Sequence, residues 1–139
     1  MSLRMTKAER EAFLAEPHVG VLSVAATARG PISVPVWYAY EPGGDVVFMT
    51  GTDAAKTVAL RGAGRAALVA QREALPYAHV SVEGRVTFEA DSRAESAAIA
   101  VRYLGAELGA QYMQASVEGA SVEVRLKPER WRTEDYGKR

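Results

Sequence analysis

The clearest hydrophobic pattern in the chain is a strict alternation over residues 32–40. Every second residue is large and apolar, namely Ile32, Val34, Val36, Tyr38 and Tyr40. A period of two is typical of a β-strand that buries one face. Pro35 lies inside this segment and has no backbone N–H. We therefore expect it at a sheet edge, a bulge or a ligand site.

Five more segments are rich in β-branched and apolar residues and are predicted as strands, over residues 18–28, 46–50, 65–71, 77–89 and 118–126. The turn cluster at residues 41–45 predicts a hairpin that joins residues 32–40 to residues 46–50. Gly84 lies inside a long strand pattern, which indicates a bulge or a close approach of another backbone. After Leu126 the chain is a polar, aromatic tail in which no further strand is predicted.

Three helices are predicted between these strands. Thr6 and Glu9 fit a capping box at the start of the first helix, which Pro17 ends. Thr52 or Asp53 is expected to cap a short second helix that ends at Gly62 or Gly64. Asp91 or Ser92 is expected to cap a third helix, which Gly105 interrupts and which continues to about residue 115.

The order of these elements predicts a single domain over residues 1–139, mainly β with helices. Hairpin connections dominate, so an antiparallel sheet closed as a small barrel is expected, with helices at its ends.

Composition excludes several classes of function. Lys plus Arg and Asp plus Glu are both 17, and a net charge of zero disfavours a dedicated nucleic-acid binder. The chain has no cysteine and therefore no disulfide, thiolate nucleophile or zinc–thiolate site. Its two histidines, His18 and His79, are too few for most histidine-based metal sites. Neither a signal peptide nor an apolar run of about 20 residues is apparent, so we expect a cytoplasmic protein that does not enter membranes.

Lys56 is the sharpest chemical signal in the sequence. It follows a strand end, Thr50-Gly51, and falls in the first turn of the predicted second helix. A helix start presents free N–H groups and partial positive charge, so a lysine there favours a phosphate. A solvated helix lysine is an equally good interpretation of the residue alone.

The other candidates have structural interpretations that are better supported individually. Pro35 and Trp37 share one strand face and could wall a planar ligand, but core or dimer packing explains them as well. A lone His79 and a Trp131 near the tail are both more often structural than ligand-binding.

Taken together, the chain resembles the pyridoxamine 5'-phosphate oxidase-like family of flavin-binding split barrels. The resemblance extends from about His18 to Tyr136. It is carried in order by Gly30-Pro31-Ile32-Ser33-Val34-Pro35-Val36-Trp37-Tyr38, Phe48-Met49-Thr50-Gly51, Lys56, Leu60-Arg61, Gly64-Arg65-Ala66-Ala67-Leu68, Pro76-Tyr77, Val80-Ser81-Val82-Glu83-Gly84 and Arg125-Leu126-Lys127-Pro128-Glu129-Arg130-Trp131.

The resemblance implies a six-stranded antiparallel split β-barrel with short peripheral helices. It also implies a homodimer with two cofactors in grooves between the subunits. The usual cofactor is FMN, and the alternative is the deazaflavin coenzyme F-420. By the same resemblance Lys56 would hold the phosphate, and Val34, Pro35, Val36 and Trp37 would line the ring. Further contacts would come from Thr50, Gly51 and His79, and from Trp131 and Arg132 of the partner subunit.

Two departures bear on the reaction. Ala54-Ala55-Lys56 stands where the oxidase often has Ser-Arg-Lys, and the oxidase's C-terminal Arg-x-His signature is absent. These differences disfavour oxidation of pyridoxamine phosphate and favour a reductase of a small organic substrate. No catalytic residue is assigned, because the cofactor carries the hydride chemistry. The alternative is a non-catalytic flavin- or haem-binding module on the same fold.

Overall fold

The computed structural model describes residues 2–139. The helices in this part of the chain are α1 (Lys7–Ala15), α2 (Ala55–Ala63) and α3 (Arg93–Ala115), with a short 3-10 helix at Tyr136–Lys138. The strands are β1 (Gly20–Val24), β2 (Ile32–Val36), β3 (Val46–Gly51), β4 (Arg65–Arg72), β5 (Ala78–Ala90), β6 (Ser121–Leu126) and β7 (Arg130–Asp135).

All strand pairs are antiparallel. The order is β2-β1-β4-β5-β6-β3, and β7 is an additional partner of β5. A single bridge between Ala39 and Val47 connects the segment after β2 to β3 at the far end of this path. The sheet therefore curls into a half-barrel with peripheral helices, which confirms the predicted split-barrel class. β2 lies at one end of the strand order, so Pro35 is on an edge strand as the sequence allowed.

β5 organises the sheet because it pairs with two strands along the same edge. Residues 78–83 pair with β7, and residues 86–90 pair with β6. Gly84 lies at the junction, where a Cβ atom would stand 1.7 Å from the carbonyl oxygen of Lys127. The close backbone approach predicted at Gly84 is confirmed, and only glycine leaves room for the crossing chain.

Three sequence predictions are wrong in detail. The hairpin between residues 32–40 and 46–50 is present only as the bridge between Ala39 and Val47 and does not continue as a ladder. The ladder of β3 is formed with β6. The polar tail contains β7, in which Trp131 and Thr133 face inward and Arg130 and Arg132 are exposed. The second helix begins after Ala54, not after a Thr52 or Asp53 cap.

α1 begins as predicted. Thr6 Oγ1 accepts the Glu9 N–H at 3.2 Å, and Glu9 Oε1 accepts the Thr6 N–H at 2.8 Å. Hydrogen bonds from the Thr6 backbone and from Lys138 lower the pKa of Glu9 to about 2. The helix inserts Phe13 and Leu14 into the core.

The carbonyl groups around the end of α1 are held by side chains from distant elements. Tyr38 donates its hydroxyl to Leu14 O at 2.7 Å, and Arg102 donates to Glu16 O at 2.8 Å. Tyr103 donates its hydroxyl to His18 O at 2.6 Å. Burial raises the pKa of Tyr38, so its hydroxyl remains a hydrogen-bond donor. These bonds fix α1 against β2 and α3.

None of the helices in residues 2–139 is both long enough and apolar enough to span a lipid bilayer.

The β5 junction generates a stability prediction. Gly84→Ala is expected to lower the free energy of unfolding by about 3 kcal/mol or more, because its Cβ would overlap Lys127 O. Gly62→Ala is the matched control, since Gly62 is helical and a Cβ added there would meet no atom within 4 Å. That control should be neutral or stabilising by up to about 1 kcal/mol. Urea unfolding of the two variants checks this, and equal stabilities would contradict it.

Candidate functional site

A cavity of about 460 Å³ opens between the end of β2, the outer side of β3, the start of α2 and the folded-back α3. One side is lined by Pro35, Val36, Trp37, Met49 and Lys56. Its volume lies in the range of small-molecule and cofactor sites.

Lys56 is positioned by a buried hydroxyl pair beneath it. Thr57 Oγ1 donates to the carbonyl oxygen of Gly51 at 2.6 Å and lies 2.9 Å from Thr50 Oγ1. A hydroxyl has one hydrogen, so Thr57 donates to Gly51 and accepts from Thr50. Both side chains are buried. This chain of bonds ties the first turn of α2 to the end of β3.

The α2 start is a positively charged corner. No side chain within the described chain caps α2, and its first turn contains no acidic residue. Among residues 2–139, Lys56 makes no ion pair. Unpaired N–H groups, the helix dipole and a lysine together favour an anion, a phosphate above all.

Aromatic rings form the neighbouring wall. Trp37 stacks on Tyr103 with ring centroids 5.2 Å apart and an interplanar angle of 7°. Tyr112 lies on Trp37 at 5.6 Å with a tilt of 49°. The Tyr103 hydroxyl, besides donating to His18 O, accepts the Tyr38 N–H at 3.2 Å. The Trp37 ring is therefore held by α3.

α3 contributes to the wall because it folds back on itself. Gly105 has φ 84°, and this breaks the helix into residues 93–104 and residues 106–115. The two segments meet at Gly109, where a Cβ atom would be 3.0 Å from Val101. The second segment brings Tyr112 and Met113 into the cavity lining.

The charged groups at the start of α3 are engaged by backbone. The Arg93 guanidinium donates to the carbonyl oxygens of Met113 and Ser116. Asp91 Oδ2 accepts the Gly119 N–H at 3.0 Å. Of the three charged residues in the lining, only Lys56 is left without a partner among residues 2–139.

The structure brings together four of the residues that the sequence singled out, namely Pro35, Val36, Trp37 and Lys56. Thr50 lies beneath the lining as part of the hydroxyl pair, and Gly51 is exposed beside it. Val34 packs against the hydrophobic core.

Three predicted residues lie elsewhere in this chain. His79 is on β5, 3.9 Å from a carboxylate oxygen of Glu134. Trp131 packs edge-on against Tyr40, and Arg132 is exposed on β7. The register runs Pro35, Val21, Val69, Ser81, Arg132 across five strands. Four strand spacings along the curved sheet, a path of about 19 Å, lie between Pro35 and Arg132. Neither Trp131 nor Arg132 lines the cavity of its own chain.

Sequence reasoning missed the part of the cavity lining that α3 and the residues just before it contribute, namely Asp91, Arg93, Tyr112 and Met113. Gly105 was a signal for the break in the helix. Nothing in the pattern showed that the second segment folds back over the strands.

Comparisons with known proteins agree on the fold. The family model described as pyridoxamine 5'-phosphate oxidase matches residues 6–135. No curated protein matches the chain.

Solved structures are similar over nearly the whole chain. The conserved hypothetical protein Rv2991 from Mycobacterium tuberculosis is 23% identical, with a TM-score of 0.79, and the match covers 97% of this chain and 88% of that one. A protein described as F420 reductase is 20% identical, with a TM-score of 0.72 and coverage of 88% and 94%. A FAD-binding protein from Mesorhizobium loti is 19% identical, with a TM-score of 0.66 and coverage of 93% and 92%.

The aromatic wall generates a second stability prediction. Tyr103→Phe keeps the ring on Trp37 but removes the hydroxyl that serves His18 O and the Tyr38 N–H. We expect a loss of about 1–2 kcal/mol in the free energy of unfolding. Tyr112→Phe is the control, because the Tyr112 ring is 50% exposed and its hydroxyl makes no hydrogen bond within residues 2–139. Equal effects in chemical denaturation would show that the Tyr103 hydroxyl does not hold the wall.

Proposed function

The chain belongs to the pyridoxamine 5'-phosphate oxidase family, and we propose that it is a flavin- or deazaflavin-dependent oxidoreductase that reduces a small organic substrate by hydride transfer. FMN is the proposed cofactor, and the deazaflavin coenzyme F-420 is the alternative. The similarity to an F420 reductase and to a FAD-binding protein supports a flavin-type ring.

One observation carries the proposal. Lys56 lines a cavity of about 460 Å³ that has an aromatic wall. It lies in the first turn of α2, a helix start that no side chain of residues 2–139 caps. These residues fit a phosphorylated ring compound, with the phosphate at Lys56 and the α2 N–H groups and the ring along Pro35, Val36 and Trp37. When bound, the cofactor supplies the hydride chemistry.

The chain's own residues then bind, orient and exclude water. Thr50 and Thr57 tie the first turn of α2, which carries Lys56, to the end of β3. Val36, Met49 and Ile99 make the cavity interior apolar. Asp91 and Arg93 each hydrogen-bond backbone groups at the end of α3 or in the loop after it. This arrangement suits a reaction in which the protein positions the reactants.

A non-catalytic flavin- or haem-binding module is the second candidate. Asp91 and Arg93 hydrogen-bond backbone groups, which would suit a storage or sensing site as well. Neither His18 nor His79 lines the cavity, so a haem iron there would have to be held by a Met or Tyr of the lining. Turnover separates the candidates. Reoxidation of the reduced cofactor by one of a panel of quinone, enone and tetrapyrrole acceptors supports the enzyme. Binding with no turnover supports the module.

We also propose a homodimer. The outer sheet face leaves Val19 and Val21 more than 40% exposed next to Pro35 at the cavity. Neither Trp131 nor Arg132 lines the cavity of its own chain. Arg132 is in register with Val21 and Pro35, so a partner packed on this face would supply it from β7 of the second subunit. Trp131 packs against the core of its own subunit.

If Lys56 binds the phosphate of the cofactor, Lys56→Ala should weaken the binding of ligands that carry a phosphate and of no others. FMN affinity should fall by about 10–100-fold, the loss of one charge-assisted contact. Riboflavin, which lacks the phosphate, should bind the variant and the wild type equally. Lys7→Ala is the matched control, since Lys7 also begins a helix but lies at the capped start of α1. Flavin fluorescence titration measures the affinities of the wild type, Lys56→Ala and Lys7→Ala for both ligands. Parallel titration of the wild type with coenzyme F-420 decides between the cofactors, and a wild type that binds neither would refute the proposal.

The dimer predicts a particle of twice the 15.0 kDa chain mass in sedimentation experiments. Val21→Glu should shift it to the monomer, because a carboxylate on the apolar sheet face would lose its hydration in the interface. Val58→Glu places the same charge at an exposed position on α2, outside the sheet, and should remain dimeric. A monomeric wild type would contradict the proposal.

A further inference from the structure

The folded-back segment of α3 buries little of its own surface. Residues 106–115 contribute one buried residue, Gly109, and leave Leu108 and Tyr112 at least half exposed. Such a segment gains little from apolar burial. Its position must therefore depend on the few specific contacts that it makes.

The polar contacts that hold this segment come from the start of α3. The Arg93 guanidinium binds Met113 O and Ser116 O, at the end of the second helical segment. A cation at a helix C-terminus satisfies free carbonyls and favours the dipole. Asp91 holds the following loop through the Gly119 N–H. The two ends of α3 are thus joined across the base of the cavity.

The segment held in this way carries the aromatic side of the cavity. Tyr112 lies against Trp37, and Met113 and Val117 complete the lining beside it. Aromatic faces and thioethers contact planar rings favourably. A displaced segment would remove these contacts without altering Lys56, which lies on α2.

We propose that residues 106–117 form a latched wall that binds the planar ring of the ligand, and that Arg93 is the positioning residue that holds this wall in place. The inference rests on the proposed function and deepens it. The wall adds a second set of ring contacts to those of Pro35, Val36 and Trp37, whereas phosphate recognition is assigned to Lys56. Ring affinity and phosphate affinity should therefore be separable by mutation.

The test uses the full-length protein and two ligands, FMN and riboflavin. Arg93→Ala should weaken both ligands by the same factor, about tenfold, because both carry the ring. Lys56→Ala should weaken FMN alone. Arg93→Lys should recover part of the affinity, since an ammonium group donates to carbonyls but lacks the fork that reaches two of them. Arg29→Ala is the control, because Arg29 lies in an exposed turn and bonds only the adjacent Gly30 O within residues 2–139.

Gly109→Ala perturbs the wall from its other side. Its Cβ would press on Val101 at 3.0 Å, and Gly109 does not line the cavity. It should lower riboflavin affinity as Arg93→Ala does. If both variants keep wild-type affinity for riboflavin, the wall does not bind the ring and the proposal is overturned.

Hydrogen exchange distinguishes failure of the latch from failure of the proposed function. Amides of residues 106–120 should exchange faster in Arg93→Ala than in the wild type, while those of β4 and β5 should not change. Unchanged exchange in residues 106–120 overturns the latch. If the wild type binds neither FMN nor riboflavin but Arg93→Ala still exchanges faster in residues 106–120, the proposed function and its ring site are refuted. The role of Arg93 in holding the wall then stands.

Discussion

The hydroxyl of Tyr103 connects three parts of the chain that are distant in sequence. The hydroxyl donates to His18 O and accepts the Tyr38 N–H, and the Tyr103 ring stacks on Trp37. With Tyr38 and Arg102 this hydroxyl satisfies backbone carbonyls at and after the end of α1, of which Leu14 O is buried. This part-buried polar cluster, together with the buried side chains of Ile99 and Ala100, places α3 over the strands where it forms one side of the cavity.

The cavity itself shows how a chain with no net charge can hold a localised positive site. Asp91 and Arg93 both hydrogen-bond backbone groups of the wall, and their opposite charges leave the lining with the net positive charge of Lys56. Within the described residues, Lys56 remains as the group without a partner, at a helix start that adds to its potential. Total charge is a sum over the molecule, whereas ligand binding depends on which charges are left unpaired. The neutral composition was therefore compatible with an anion site.

Much of the fold could be predicted because its signals are local. The capping box at Thr6, the alternation over residues 32–40, the close approach at Gly84 and the break at Gly105 each follow from a few adjacent residues. The site could be predicted in part for the same reason. Lys56 and the strand face at Pro35 and Trp37 belong to neighbouring segments with recognisable patterns, and the resemblance to a known family linked them. β7 was missed because only Trp131 and Thr133 of its residues face inward, so its apolar alternation is too weak to recognise.

The sequence by itself determined where the helices and all strands except β7 form and which residues have special backbone requirements, because these depend on neighbours within one or two turns. Tertiary structure alone decided that β3 pairs with β6 and that α3 folds back to place Tyr112 on Trp37. It also decided that Arg93 meets Met113, twenty residues later in the chain. Such pairings are choices among segments of similar propensity. They are settled by which arrangement buries apolar surface and satisfies buried polar groups at the same time.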